Sequence, residues 1–64
     1  MNRTIQIGSK VVYTGPTIEQ PWLPRGAEGV VIYIDHGMPF PFICNFNVPD
    51  GEDWPMSSHD LEVI

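Results

Sequence analysis

His36, Cys44, His59 and Asp60 are the grouping of this chain that could suggest a metal site or a nucleophile. Zinc sites are built from Cys and His paired at short spacing, and no such pair occurs here. Cys44 stands in Phe42-x-Cys44-x-Phe46, an alternation that places it on the inward face of a strand. There cysteine behaves as a small hydrophobe, out of reach of a base that would activate it. No phosphate-binding loop is present, and no Ser/His/Asp spacing supports a nucleophile. The expectation is a non-enzyme with no catalytic residue, no metal and no cofactor.

Recognition chemistry is better supplied. Tyr13, Pro16, Pro21, Trp22, Pro24, Trp54 and Pro55 form a proline-aromatic group. Large aromatics serve as anchors at interfaces, and they also cover thin cores with their N–H groups at the rim. Trp22 and Trp54 are open to both readings. Asp50, Glu52 and Asp53 crowd one turn beside Trp54. They lack the ligand spacing of a calcium loop, and they suit a basic partner peptide or plain solvation. The candidate partner-binding residues are therefore Trp22, Pro24, Asp50, Glu52, Asp53 and Trp54.

Charge narrows the partner. The chain has a net charge of −5. Residues 1–25 hold Arg3, Lys10 and Arg25 against Glu19, while residues 26–64 hold seven acidic residues and no Lys or Arg. Phosphate backbones are bound by clustered Lys and Arg, so nucleic acid is not expected as a partner. An acidic surface suits a basic protein, or simply solubility. The lone Cys44 cannot form an internal disulfide. No apolar run approaches membrane-spanning length, and residues 1–6 have no apolar signal core. The expected location is a reducing cytoplasm, a bacterium's own or that of a phage-infected host, with no membrane partner.

The elements that must position these residues are short. The chain has 64 residues, including seven prolines and six glycines. That is one domain with a thin core, many turns and no long helix. Residues 1–6 read as a polar lead-in that joins the sheet through Ile5 and Ile7. Val11 and Tyr13 share the inward face of a first strand. Residues 14–28 form a long connection, a length uncommon in a compact domain unless functional or packed on itself. Trp22 and Leu23 are expected to anchor it.

Val30-Val31-Ile32-Tyr33-Ile34 is the strongest strand signal. Regular alternation puts Val31 and Tyr33 inward and leaves Val30, Ile32 and Ile34 in need of cover, from the loop, the last strand or a second copy. The turn Asp35–Pro39 uses Gly37 at positive φ. The third strand runs from Phe40 to Asn47 with Phe42, Cys44 and Phe46 inward. Val48-Pro49-Asp50-Gly51 is a turn. Glu52–Met56 is an edge strand because Pro55 cannot donate to a ladder, and Met56 points inward. Ser57–Asp60 forms a 3₁₀ turn with a serine cap, and Leu61–Ile64 closes the sheet.

Gly8-x-x-Val11, Gly26-x-x-Gly29-x-Val31, Phe42-x-Cys44-x-Phe46, Asp50-Gly51-Glu52, Trp54-x-Met56 and Asp60-Leu61-Glu62 together resemble the SH3-like barrel superfamily. The likeness covers about residues 7–64. It is shared in outline with small bacterial and phage proteins, with the photosystem I reaction-centre subunit IV and with the C-terminal domain of the nitrile hydratase β-subunit. It implies an all-β, five-stranded SH3-like barrel with a long first loop and a 3₁₀ turn before the last strand. The photosystem subunit's docking through basic residues does not carry over to a chain with three of them, nor does a nitrile hydratase metal site.

SH3 domains bind proline-rich ligands in aromatic-lined grooves. The expected function is accordingly a protein–protein interaction module, monomeric or weakly self-associating. The alternative is a small acidic phage-type inhibitor or nucleic-acid mimic acting on a basic host protein.

Overall fold

β-Branched and aromatic residues concentrate in five short runs, and each becomes a strand. The computed structural model describes residues 4–64. The strands are β1 (Lys10–Tyr13), β2 (Glu28–Ile34), β3 (Phe42–Phe46), β4 (Trp54–Met56) and β5 (Leu61–Val63), with a 3₁₀ turn at Ser58–Asp60. All pairings are antiparallel, in the spatial order β4-β3-β2-β1-β5. The sheet curls into a half-barrel, and the fold is all-β. The third and fourth strands are shorter than Phe40–Asn47 and Glu52–Met56, because Pro41 and the turn residues ahead of Trp54 stay outside the ladder. Pro55 lies in the edge strand β4, where a missing N–H costs no ladder bond on the open side.

The inward face is a set of cross-strand rows. Val63, Val11, Gly29 and Phe46 are register partners in sequence across four strands. Gly29 must lack a side chain here: a Cβ would collide with the Asn45 carbonyl and lie 2.7 Å from the Phe46 ring. Val31, Cys44 and Trp54 form the next row. Val11, Tyr13, Leu23, Ala27, Val31, Cys44, Phe46, Met56 and Leu61 are the buried core. Tyr13 and Phe46 meet edge to face at 6.2 Å. Phe42 is half-buried against this cluster.

Strand β2 departs from regular alternation. Val31 pairs with Cys44, but Tyr33 pairs with Ile43, so β2 spends two residues where β3 spends one. The extra residue is a bulge, and it reverses the parity of everything after it. Tyr33, expected inward, is 56% exposed, and Ile34 packs on the core in its place. Ile32 stays 38% exposed.

Three local expectations are also corrected. Gly37 does not occupy the left-handed region, which among the described glycines holds only Gly8 and Gly26. The 35–41 turn is instead closed by the Asp35 carboxylate, which accepts from the Gly37 amide at 3.1 Å. Ser57 precedes the 3₁₀ turn without a side-chain cap; the Asp60 amide donates to the Ser57 carbonyl at 3.1 Å. Of the lead-in, residues 1–3 lie outside the described residues. Ile5 packs on the core, and Ile7 is 62% exposed.

The long 14–28 loop is packed on the body. Ile18 and Leu23 exchange backbone hydrogen bonds of 2.8 and 2.7 Å, folding the loop back as a small bridge. Alternation at that bridge sends Leu23 inward, fully buried, and Trp22 outward. Burying one such leucine is worth roughly 1.5–3 kcal/mol. Trp22, expected as a second anchor, is 50% exposed and is not among the residues packed on the core. Tyr13 ties the loop's start, its hydroxyl donating to the Pro16 carbonyl at 2.6 Å. Arg25 ties its end: Nε donates to the Thr14 carbonyl at 3.1 Å, and its amide to Thr17 Oγ1 at 3.0 Å.

Candidate functional site

The turn between β3 and β4 is built so tightly that its side chains have fixed places. Gly51 is buried, its carbonyl accepts from the Phe46 amide at 2.6 Å, and its amide donates to the Val48 carbonyl at 3.1 Å. A Cβ at this position would collide with the Phe46 carbonyl. The Asn47 amide donates to the Glu28 carbonyl at 2.8 Å, tying the turn to β2. Asp53 adopts the left-handed conformation at φ 55°, a region that Asp and Asn enter more readily than other non-glycine residues. Its amide is held there by the Asn45 side-chain oxygen at 2.9 Å. The Trp54 indole N–H donates to the Asp50 carbonyl at 2.7 Å, which locks the ring across the turn.

Against this turn lies the fold-back of the long loop. Between them runs an open groove of about 340 Å³, lined by Ile18, Pro21, Asp50, Glu52, Asp53, Trp54 and Pro55. The loop contributes Ile18 and Pro21, and the turn and β4 contribute Asp50, Glu52, Asp53, Trp54 and Pro55. No Lys, Arg or His lines it. Trp54 belongs to both the groove and the body, half-buried with its ring packed on the core cluster.

Four of the six candidate residues are thus brought together: Asp50, Glu52, Asp53 and Trp54. Trp22 and Pro24 are not among them. Trp22 points to solvent elsewhere on the loop, and half-buried Pro24 contributes its carbonyl to the Ala27 amide at 3.1 Å. Sequence reasoning missed Ile18 and Pro21 as groove walls. Pro21 was visible only as one proline among several, and Ile18 gave no signal, because its placement depends on the loop folding back to Leu23.

The residues with covalent potential sit apart. His36 and His59 are exposed, Asp60 is half-buried, and Cys44 is fully buried. Burial pushes the Cys44 thiol up to about 11, so it stays protonated at neutral pH. Burial also raises the Tyr13 hydroxyl, with the Asp60 charge adding and Arg25 opposing. Among the described residues no group of three His, Cys, Asp or Glu is placed to hold a metal ion, and no helix is long and apolar enough to cross a membrane. Comparison of the chain with protein-family models, with curated proteins and with solved structures yields no match.

Proposed function

We propose that this chain is an SH3-like barrel that acts as a protein-binding module, docking another protein through the groove between the 14–28 loop and the Asp50–Trp54 turn. The strand order, the long first loop and the 3₁₀ turn before β5 support the barrel assignment. One observation carries the docking reading. A tryptophan, two prolines, an isoleucine and three acidic residues line one groove, beside a turn whose backbone is already fixed. Preorganised surfaces lose little conformational freedom on binding, and that is where affinity is gained. Aromatic anchors in a partly desolvated site are the common energetic centre of such contacts.

The test is a heteronuclear NMR titration with proteins that co-purify from the native cell or host. Binding through the groove moves the Trp54 indole and the Asp53 amide resonances. A partner that binds while both stay still sinks the reading.

A second reading, an acidic inhibitor or nucleic-acid mimic, draws on charge beyond the groove. Glu28 and Glu62 flank Val12 as its register partners on β2 and β5 and are exposed. A mimic displaces nucleic acid from its target, and its affinity falls steeply with salt. A co-purifying partner that binds this chain and nucleic acid at once excludes the mimic.

A further inference from the structure

We infer that the outer face of the sheet pairs with the same face of a second copy of this chain, about a two-fold axis that sets each Lys10 over the other copy's Glu28. None of the residues involved lines the docking groove. Alternation fixes the face. Val11 is fully buried and pairs with Gly29, so Lys10 and Val12 on β1 and their partners Val30 and Glu28 on β2 point outward. Cys44 is buried and Phe42 packs on the core, so Ile43 between them points outward too. Val12, Val30 and Ile43 are half-buried, yet they are not among the residues packed on the core. They form an apolar diagonal across three adjacent strands. The β2 bulge extends it, because it turns Tyr33, the partner of Ile43, outward at 56% exposure.

Charge selects the occupant. Lys10, Val30, Val12 and Glu28 are the corners of one block of the ladder, with Lys10 opposite Val30 and Glu28 opposite Val12. The two valines lie on one diagonal and the two opposite charges on the other. A second copy turned by half a revolution about the valine diagonal lays valine on valine and exchanges the places of Lys10 and Glu28. Both charges are exposed, and each then finds an opposite charge, twice per dimer. A wholly apolar partner would cover them unpaired, which is costly. A basic protein would meet Lys10 with a like charge, and an anionic one would meet Glu28 in the same way. A stable complex buries about 800 Å² per partner, against 4492 Å² exposed by the whole chain. The sheet curls around its core, so two outward-curved faces meet over less than that. The dimer is accordingly weak, with a Kd on the order of 0.1 mM.

The test is self-association, followed by sedimentation equilibrium and by amide shifts on dilution from about 2 mM to about 20 μM. The Val12, Val30 and Ile43 amides are expected to move with concentration while the Trp54 indole stays still. Lys10→Glu and Glu28→Lys should each weaken self-association roughly tenfold, because both cross-pairs become like-charge contacts. Their equimolar mixture should recover the parent affinity, since one copy is then anionic and the other cationic at both positions. The double variant, with the parent's net charge, should recover it as well. Glu28→Lys also reduces the overall negative charge, so simple relief of repulsion between copies would strengthen association instead. Glu62→Lys makes the same change in net charge outside the block, and it should associate at least as well as the parent. All three positions are exposed, so the fold is retained.

A protein that stays monomeric at about 2 mM overturns the pairing. Association that both charge reversals leave unchanged also overturns it, as does a loss that neither the mixture nor the double variant restores. The docking reading is decided separately, by the Trp54 indole and Asp53 amide in the titration with co-purifying partners.

Discussion

The turns at the two ends of β3 do the same topological work and are built in opposite ways. The 35–41 turn closes on its own residues. Its bonds run from the Asp35 amide to the Pro41 carbonyl, from the Met38 amide to the Asp35 carbonyl and from the Gly37 amide to the Asp35 carboxylate. It leaves Met38 and Phe40 more than half exposed. The 47–53 turn reaches outward, bonding to β2 through Glu28, to β3 through Phe46 and Asn45, and to β4 through the Trp54 indole. It keeps apolar Val48 half-buried and presents three carboxylates. The comparison teaches where specific recognition can be held in so small a domain. A turn cross-tied to three strands places charged groups at little further ordering cost on binding, whereas a self-closed turn displays side chains without fixing them.

The sharpest way to break this contrast is to put the same methyl group into both turns. Gly51→Ala drives a Cβ into the Phe46 carbonyl and leaves another contact at 3.0 Å from the Val48 side chain. Backbone cannot give way as a flexible side chain can, so the loss is expected to be about 3 kcal/mol. Gly37→Ala meets only the Asp35 carboxylate at 3.4 Å, an ordinary contact, and Gly37 is not in the left-handed region. Its cost should stay within about 0.5 kcal/mol. Urea midpoints of the two variants measure the difference. Comparable losses would show that the turns are equally constrained and remove the basis for calling one preorganised.

Between the turns, the middle of β3 is sealed, and pH probes that seal. The folded Cys44 thiol titrates at about 11 against an ordinary 9.0, because burial disfavours the thiolate. The folded state therefore holds this proton more tightly than the unfolded chain does. Its contribution is complete below pH 9.0 and is lost as pH rises toward about 11. A shift of that size corresponds to about 2–3 kcal/mol. Denaturation midpoints followed across this range should fall in the parent protein and fall less in Cys44→Ala. The residual slope belongs to Tyr13, whose folded value is also raised, and whose stabilising share is lost above 10.0. Rapid reaction of Cys44 with a thiol reagent under native conditions would contradict the sealed strand.

Much of this architecture was legible in the residues, and the failures share a cause. Val11, Val31, Cys44, Phe46 and Met56 are inward as strand alternation requires, because a regular ladder carries parity from one residue to the next. Tyr33 breaks that inheritance, since a bulge is set by how two strands meet and leaves no mark in β2 alone. The acidic turn and Trp54 were readable because they are neighbours in sequence. Ile18 and Pro21 were not, because they reach the groove only when the loop folds back on Leu23, a tertiary event. Trp22 misled for the complementary reason: its size suggested burial, and the bridge geometry gave that place to Leu23.

The smallest expected effects are the most discriminating, because they carry opposite signs at one hydrogen bond. Asn45→Ala removes the acceptor that holds the Asp53 amide, at an expected cost of about 1 kcal/mol. Asp53→Gly keeps that amide and its bond while relieving the left-handed strain at φ 55°. Glycine enters this region freely, so stability should rise by about 0.5 kcal/mol. The same variant removes an acidic side chain from the residues that line the groove, so it should bind a partner docked there more weakly while unfolding at higher urea. A stabilised protein with weakened binding separates the turn's two roles, holding a conformation and presenting charge. If Asp53→Gly lowers stability instead, the Asp53 side chain itself supports the turn, and the carboxylates are not simply held out for a partner.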